Sequence, residues 1–170
     1  MPGRTRAVVE GWMRPESDRS LLVDLARPVV DRFSPGETEL FPLLSEAHFA
    51  DPRAYAEPER RGGPLTFGVP EVLVLLTPVA LAAMTEAVRY VAERAMRKGH
   101  QVTSAALRRV FRGRPDGPAE APPLELTAQE WAEVRGIVER VAVRGGVEPE
   151  RAAMIADAVV GQGRLGGETR

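Results

Sequence analysis

The side chains best suited to shuttle a proton near neutral pH are two histidines, His48 and His100, which stand 52 positions apart. Neither sits in an HExxH or HxH spacing or beside a cluster of carboxylates, so no shared catalytic or metal site is expected of them. His48 is expected to point off a short helix and His100 to lie in the loop after Gly99. A histidine-based enzyme would need a pocket bringing His48 near carboxylates. Two acidic pairs, Glu37 with Glu39 and Glu57 with Glu59, could in principle do acid and base work. No apolar stretch beside them predicts a raised pKa, so they read as solvated loop charges.

The remaining nucleophiles and phosphate cradles fare no better. Ser17, Ser20, Ser34, Ser45 and Ser104 lack the GxSxG elbow. Arg60-Arg61-Gly62-Gly63 and Gly161-Gln162-Gly163 lack the strand-turn-helix setting that a phosphate loop needs. There is no cysteine, which excludes disulfides, thiolate nucleophiles and cysteine-based zinc sites. The sequence predicts a non-enzymatic protein with no cofactor, no metal and no small-molecule ligand.

What does carry physical weight is the stretch from Val69 to Lys98. Between Glu71 and Glu86 lie fourteen uncharged residues, VLVLLTPVALAAMT, apolar on every side. A helix apolar all round must be buried in protein or in lipid. At 1.5 Å per residue the run reaches ~21 Å, short of the roughly 30 Å hydrocarbon core of a bilayer, so length alone makes it a core helix. A span from Val69 to Val91 would require Glu71 and Glu86 at the headgroups and a snorkelling Arg89. From Thr85 onward Val88, Val91, Ala92, Ala95 and Met96 recur at helical spacing. Glu86, Arg89, Glu93 and Arg97 occupy another face, in pairs three or four apart. Pro78 is expected to kink the element about midway and Gly99 to stop it, with Pro70 in its first turn.

A basic segment follows. Between Arg89 and Arg114 eight positive residues, Arg89, Arg94, Arg97, Lys98, Arg108, Arg109, Arg112 and Arg114, face the single negative Glu93. Residues 69–114 carry 8 positive and 3 negative charges, whereas both flanks are acidic, within a net charge of -1. Such a segment suits the cytoplasmic flank of a membrane element or an acidic partner. In a DNA-binding regulator, Arg108, Arg109 and Arg112 would hold phosphates with steep salt dependence, but SAALRRVFR is short for a recognition helix. Nucleic acid is therefore the alternative, not the first choice.

The elements around this centre read as helices. Residues 1–16 form a loose arm. Ser17 caps a helix to about Phe33 with Leu21, Leu22, Leu25, Val29 and Val30 as its buried stripe, bent or shortened at Pro28. SPGE at 34–37 is a turn, and Leu40, Phe41, Leu43, Leu44, Ala47 and Phe49 supply a second short helix. Residues 50–68 form an exposed loop. Thr103 or Ser104 caps a brief helix carrying Leu107, Val110 and Phe111, and 113–123 is a proline-rich linker. Thr127-Ala-Gln-Glu130 is a capping box opening a helix that buries Trp131, Val134, Ile137, Val138 and Val141. After Gly145-Gly146, Pro149 starts a second helix ending at Gly161, with a frayed tail over 162–170.

The order ELFPLLSEAHFADP, then FGVPEVLVLLTPVALAAMTEAVRYVAERAMRKG, then LTAQEWAEVRGIVERVAVRGGVEPERAAMIADAVVG resembles small actinobacterial helical proteins of unknown function, across residues 20–161. One lysine against 22 arginines fits a high-GC bacterial genome. The resemblance implies helical architecture and a bacterial source, and no reaction or site.

The expectation is thus a mainly α protein: a small helical bundle over 17–112 around a long kinked central helix at 69–98, with a C-terminal helical hairpin at 124–161. Its work is expected to be adaptor binding or assembly. Val72, Leu73, Leu75, Leu76, Val79, Leu81 and Met84 would meet a protein partner, a second copy or a membrane surface. An N-terminus with no apolar signal core points to the cytoplasm, peripheral to or once through the cell membrane.

Overall fold

The computed structural model describes residues 15–52, 74–113 and 124–165, and among these it holds six helices and no strand. They are α1 (Pro15–Phe33), a 3-10 turn (Pro35–Glu37), α2 (Phe41–Ala50), α3 (Leu76–Arg97), α4 (Ser104–Arg112), α5 (Ala128–Arg144) and α6 (Pro149–Leu165). The longest, α3, packs on α1, α2 and α5 and touches α4, while α5 and α6 pair as a C-terminal hairpin. One continuous apolar core runs through all six helices, from Leu21 of α1 to Val160 of α6.

The all-round apolar character of α3 has a direct cause: it has neighbours on several sides. Leu81, Ala87, Val91 and Ala92 have no exposed surface at all. Its alanines, Ala80, Ala83, Ala87, Ala92 and Ala95, are buried and let the neighbours approach closely. The helix begins later than the sequence predicts. Leu75 is its extended N-cap and Leu76 its first residue, so Pro78 is the third residue rather than the midpoint. There its missing N–H belongs to the first turn, whose donors have no partner within the helix, and the reason for a midway kink is gone. Gly99 ends the helix as expected. At φ 81° it donates to Met96, and His100 donates to Ala95, each at 3.0 Å, closing a Schellman motif.

Three further expectations are corrected. Pro28 neither ends nor shortens α1, which runs through it to Phe33, because buried Leu25, Ala26, Val29 and Val30 hold the turns on both sides. The start is Pro15 rather than a Ser17 cap. At the other end α6 does not stop at Gly161 but continues to Leu165, so a frayed tail cannot begin at 162. Gly163 is there for space: a Cβ would lie 2.2 Å from Cη2 of Trp131 and 2.7 Å from the Val110 carbonyl oxygen. Trp131 in turn meets Phe111 edge-on, with centroids 6.3 Å apart.

The hairpin is not a tethered appendage. α5 lies along α3, and α6 packs on α4 and α1. The Arg151 guanidinium donates to the Phe33 carbonyl at the end of α1. Between the hairpin helices, Arg135 reaches Asp157 of α6 at 2.6 Å, while within α5 it also pairs with Glu139 at 2.7 Å. Residues 1–14, 53–73, 114–123 and 166–170, which include most of the expected N-terminal arm at 1–16 and most of both expected loops, lie outside the described residues; 15 and 16 belong to α1.

Candidate functional site

The apolar residues expected to meet a partner or a membrane are the core of the chain itself. Leu76, Val79, Leu81 and Met84 are all buried, Leu81 completely. Leu75 is half-buried at the N-cap, and Val72 and Leu73 lie outside the described residues. The face of α3 proposed for docking is therefore occupied by α1, α2 and α5. Among the described residues no helix is long and apolar enough to cross a membrane. Arg89 does not snorkel; it sits exposed, paired with Glu86 at 3.1 Å.

The start of α3 is organised by a residue that the sequence places in a turn. Glu37 is not a solvated loop charge: its side chain is buried at the head of α3. Its carboxylate accepts from Leu76 N–H at 2.7 Å, Thr77 N–H at 2.8 Å, Thr77 Oγ1 at 2.7 Å and Ser34 Oγ at 2.8 Å. Burial pushes its pKa up, but these four donors outweigh that and hold it below 4.5. A carboxylate against a helix N-terminus also meets the positive end of the dipole. The site is structural: every donor comes from the turn or the first residues of α3.

Much of the basic segment is likewise engaged. Glu130 completes its capping box with Thr127, and the same buried carboxylate receives Lys98 at 2.7 Å and Arg94 at 3.3 Å from α3. The Lys98 hydrogen bond, then the Thr127 N–H, pull its pKa from 4.5 to about 2, against the opposing effect of burial. Arg108 binds Asp24 at 3.0 Å and Ser20 at 3.1 Å, tying α4 to α1. Arg97, Arg109 and Arg112 have no ion pair among the described residues, and Arg114 falls outside them.

A pattern shared by five of the six helices accounts for several of these arginines. α1, α3, α4, α5 and α6 each carry arginine in the last turn: Arg32, Arg94 and Arg97, Arg109 and Arg112, Arg144, and Arg164. Cations there complement the negative end of the helix dipole. The basic segment is dense because two helix C-termini, those of α3 and the nine-residue α4, fall close together in sequence.

The two histidines are not brought together as a pair of ligands. His100 is exposed in the loop after α3, whereas His48 is buried in the last turn of α2. No group of three histidines or carboxylates among the described residues could hold a metal. The inward face of α2 is Phe41, Ser45 and His48, and this turns the other side of the helix to solvent. Leu40 is 51 % exposed and Leu43 67 % exposed, among the described residues the two most exposed large apolar side chains but for Met154. Exposed Glu39 and Glu46 flank them. Within α2 residues 43 and 46 fall on one helical face, with Leu40 as the N-cap of the helix and Glu39 just before it in the turn.

Comparison with protein-family models, curated proteins and solved structures finds no match.

Proposed function

We propose that this chain is a non-enzymatic helical adaptor whose docking element is α2, with α3 as the internal scaffold that holds it out. The observation that carries the proposal is the exposure of Leu40, the N-cap of α2, next to Leu43 in the first turn of a helix whose inward face is already packed. Single exposed leucines are ordinary; a neighbouring pair on a two-faced helix is a binding feature.

Charge selects the partner. Glu39 and Glu46 border the leucines and have no ion pair among the described residues, so the face suits apolar side chains flanked by lysine or arginine. Size selects it further. A standard interface buries about 800 Å² on each side, far more than two leucines of a ten-residue helix provide, so a second folded copy is disfavoured. A short basic amphipathic segment of another protein, laid against α2, fits both limits. The proposal includes a cytoplasmic location, peripheral to any membrane.

The test is titration of the full chain with a synthetic Leu/Lys amphipathic peptide, followed by amide chemical shifts. Perturbations centred on Leu40, Leu43 and Glu46, abolished in Leu40→Ser/Leu43→Ser and weakened in Glu39→Lys/Glu46→Lys, are expected. Shifts that map to α4 or α5, or that survive the double serine variant, would refute it.

A further inference from the structure

Among the described residues, the buried side-chain polar atoms left without a hydrogen bond both lie on the inward face of α2. His48 is 4 % exposed and Ser45, one turn earlier, is also 4 % exposed. Among the described residues neither the Nδ1 of His48 nor the Oγ of Ser45 has a hydrogen-bond partner. Buried polar atoms are almost always paired, and each orphan weakens the packing of the segment that carries it. Two orphans on one ten-residue helix weaken its hold on the core.

The surroundings of His48 make that weakness depend on acidity. α1 offers cations on this side: Arg19 lies 5.4 Å over the Phe49 ring, which itself meets His48 edge-on with centroids 5.5 Å apart, and Arg27 lies 5.4 Å over Phe41. Asp31 of α1 is engaged with Arg27 and Thr38. α3 carries no titratable side chain from Leu76 to Thr85, and its next one, Glu86, is exposed and paired with Arg89. Glu37 of the 3-10 turn has both oxygens filled by the head of α3 and by Ser34. On α2 itself Glu46 is exposed, and Asp51 follows the helix end. Burial alone lowers the pKa of His48, with no carboxylate acting to raise it. A second proton on this ring would place an uncompensated charge in the core.

We propose that His48 is an acid-operated release for α2: protonation frees the helix from α1 and α3 while the rest of the bundle stays closed. Release turns Phe41, Ser45 and His48 to solvent and joins the inner apolar surface of α2 to the outer one of Leu40 and Leu43. The sign follows from the direction of the shift. A histidine whose pKa is lowered by folding favours the open form as pH falls below about 6.5, and has no effect above it. The inference stands independently of the peptide docking proposed above, because it concerns only the attachment of α2.

The experiment is amide hydrogen exchange of the full chain, as protection factors, from about pH 7.5 to about pH 5. The opening constant of α2 is expected to rise by up to about tenfold per pH unit over the lower part of this range while α3 keeps its protection. His48→Phe is expected to abolish that dependence and His100→Gln to retain it. Unchanged protection of α2 in the wild-type chain, or an acid response that survives His48→Phe, overturns the inference. Should His48→Phe fail to fold, the proton spectrum of the wild-type rings decides. A His48 ring that stays neutral until α2 opens supports the release, and one that takes up a proton with α2 still protected overturns it.

Discussion

Glu130 is asked to do two things at once, and replacing it by glutamine separates them. Glutamine at this position can still reach back to the Thr127 N–H, so the capping box survives and only the charge facing Arg94 and Lys98 is removed. A pKa held at about 2 instead of 4.5 corresponds, at about 1.4 kcal/mol per pH unit, to about 3 kcal/mol. That is an upper figure, because the side chains of Arg94 and Lys98 are 42 % and 39 % exposed and water screens the pair. A loss of about 1–2 kcal/mol at neutral pH is therefore expected for Glu130→Gln. A carboxylate with a depressed pKa stabilises the fold fully above its unfolded value and loses that contribution as pH falls toward its folded value. The gap between wild type and variant is thus constant from neutrality to about pH 5.5 and falls to less than half by about pH 3. Urea unfolding of both chains along this series measures it. A gap that is absent at neutral pH, or unchanged at about pH 3, would refute the assignment of Glu130 as the ionised bond between α3 and α5.

The glycines of α6 give a paired prediction: Gly163→Ala drives a methyl into Trp131 and should destabilise by roughly 1–3 kcal/mol with a changed near-ultraviolet tryptophan signal. Gly161→Ala meets nothing within 4 Å and should be neutral or stabilising by about 0.5–1 kcal/mol, both read by thermal melts. Glu37→Ala strips acceptors from the Leu76 and Thr77 N–H groups and should cost about 1–3 kcal/mol, with faster amide exchange in the first turn of α3 and not in α5. Because Glu37 is held below 4.5, its contribution is present above that pH and lost as acid protonates it.

The helices themselves were legible because their signals are local. The Thr127–Glu130 capping box, the Thr103 cap, which accepts from Ala106 N–H at 3.1 Å, and the Gly99 stop are all written within four residues of where they act. The all-round apolar run of α3 marks an element that must be buried, but the sequence assigns its face to a partner, a second copy or a membrane, whereas the fold covers it with α1, α2 and α5. The errors came from residues whose meaning depends on distant chain. Glu37 looks like a loop charge until Leu76 and Thr77, 39 and 40 positions on, supply its donors. Arg94 and Lys98 look solvated until Glu130 arrives from α5. In LFPLLSEAHFA a helix can turn either Leu40 and Leu43 or Phe41, Ser45 and His48 inward, and hydropathy favours the first. The fold takes the second, because Phe41 fills the core at the head of the helix. Glycine at 161 and 163 is equally ambiguous, serving as a helix stop or as space for a neighbour, and only the position of Trp131 decides for Gly163.

Whether α3 is the interior of this chain or a surface awaiting lipid or a partner is the point on which everything else depends. Amide hydrogen exchange of the full chain, free in buffer and mixed with anionic liposomes, addresses it directly. The expected result is that residues from Leu81 to Ala92 are the slowest to exchange in buffer alone and do not change when liposomes are added. Rapid exchange over those residues in buffer, with protection appearing only on liposomes, would contradict it and return the apolar run to the membrane.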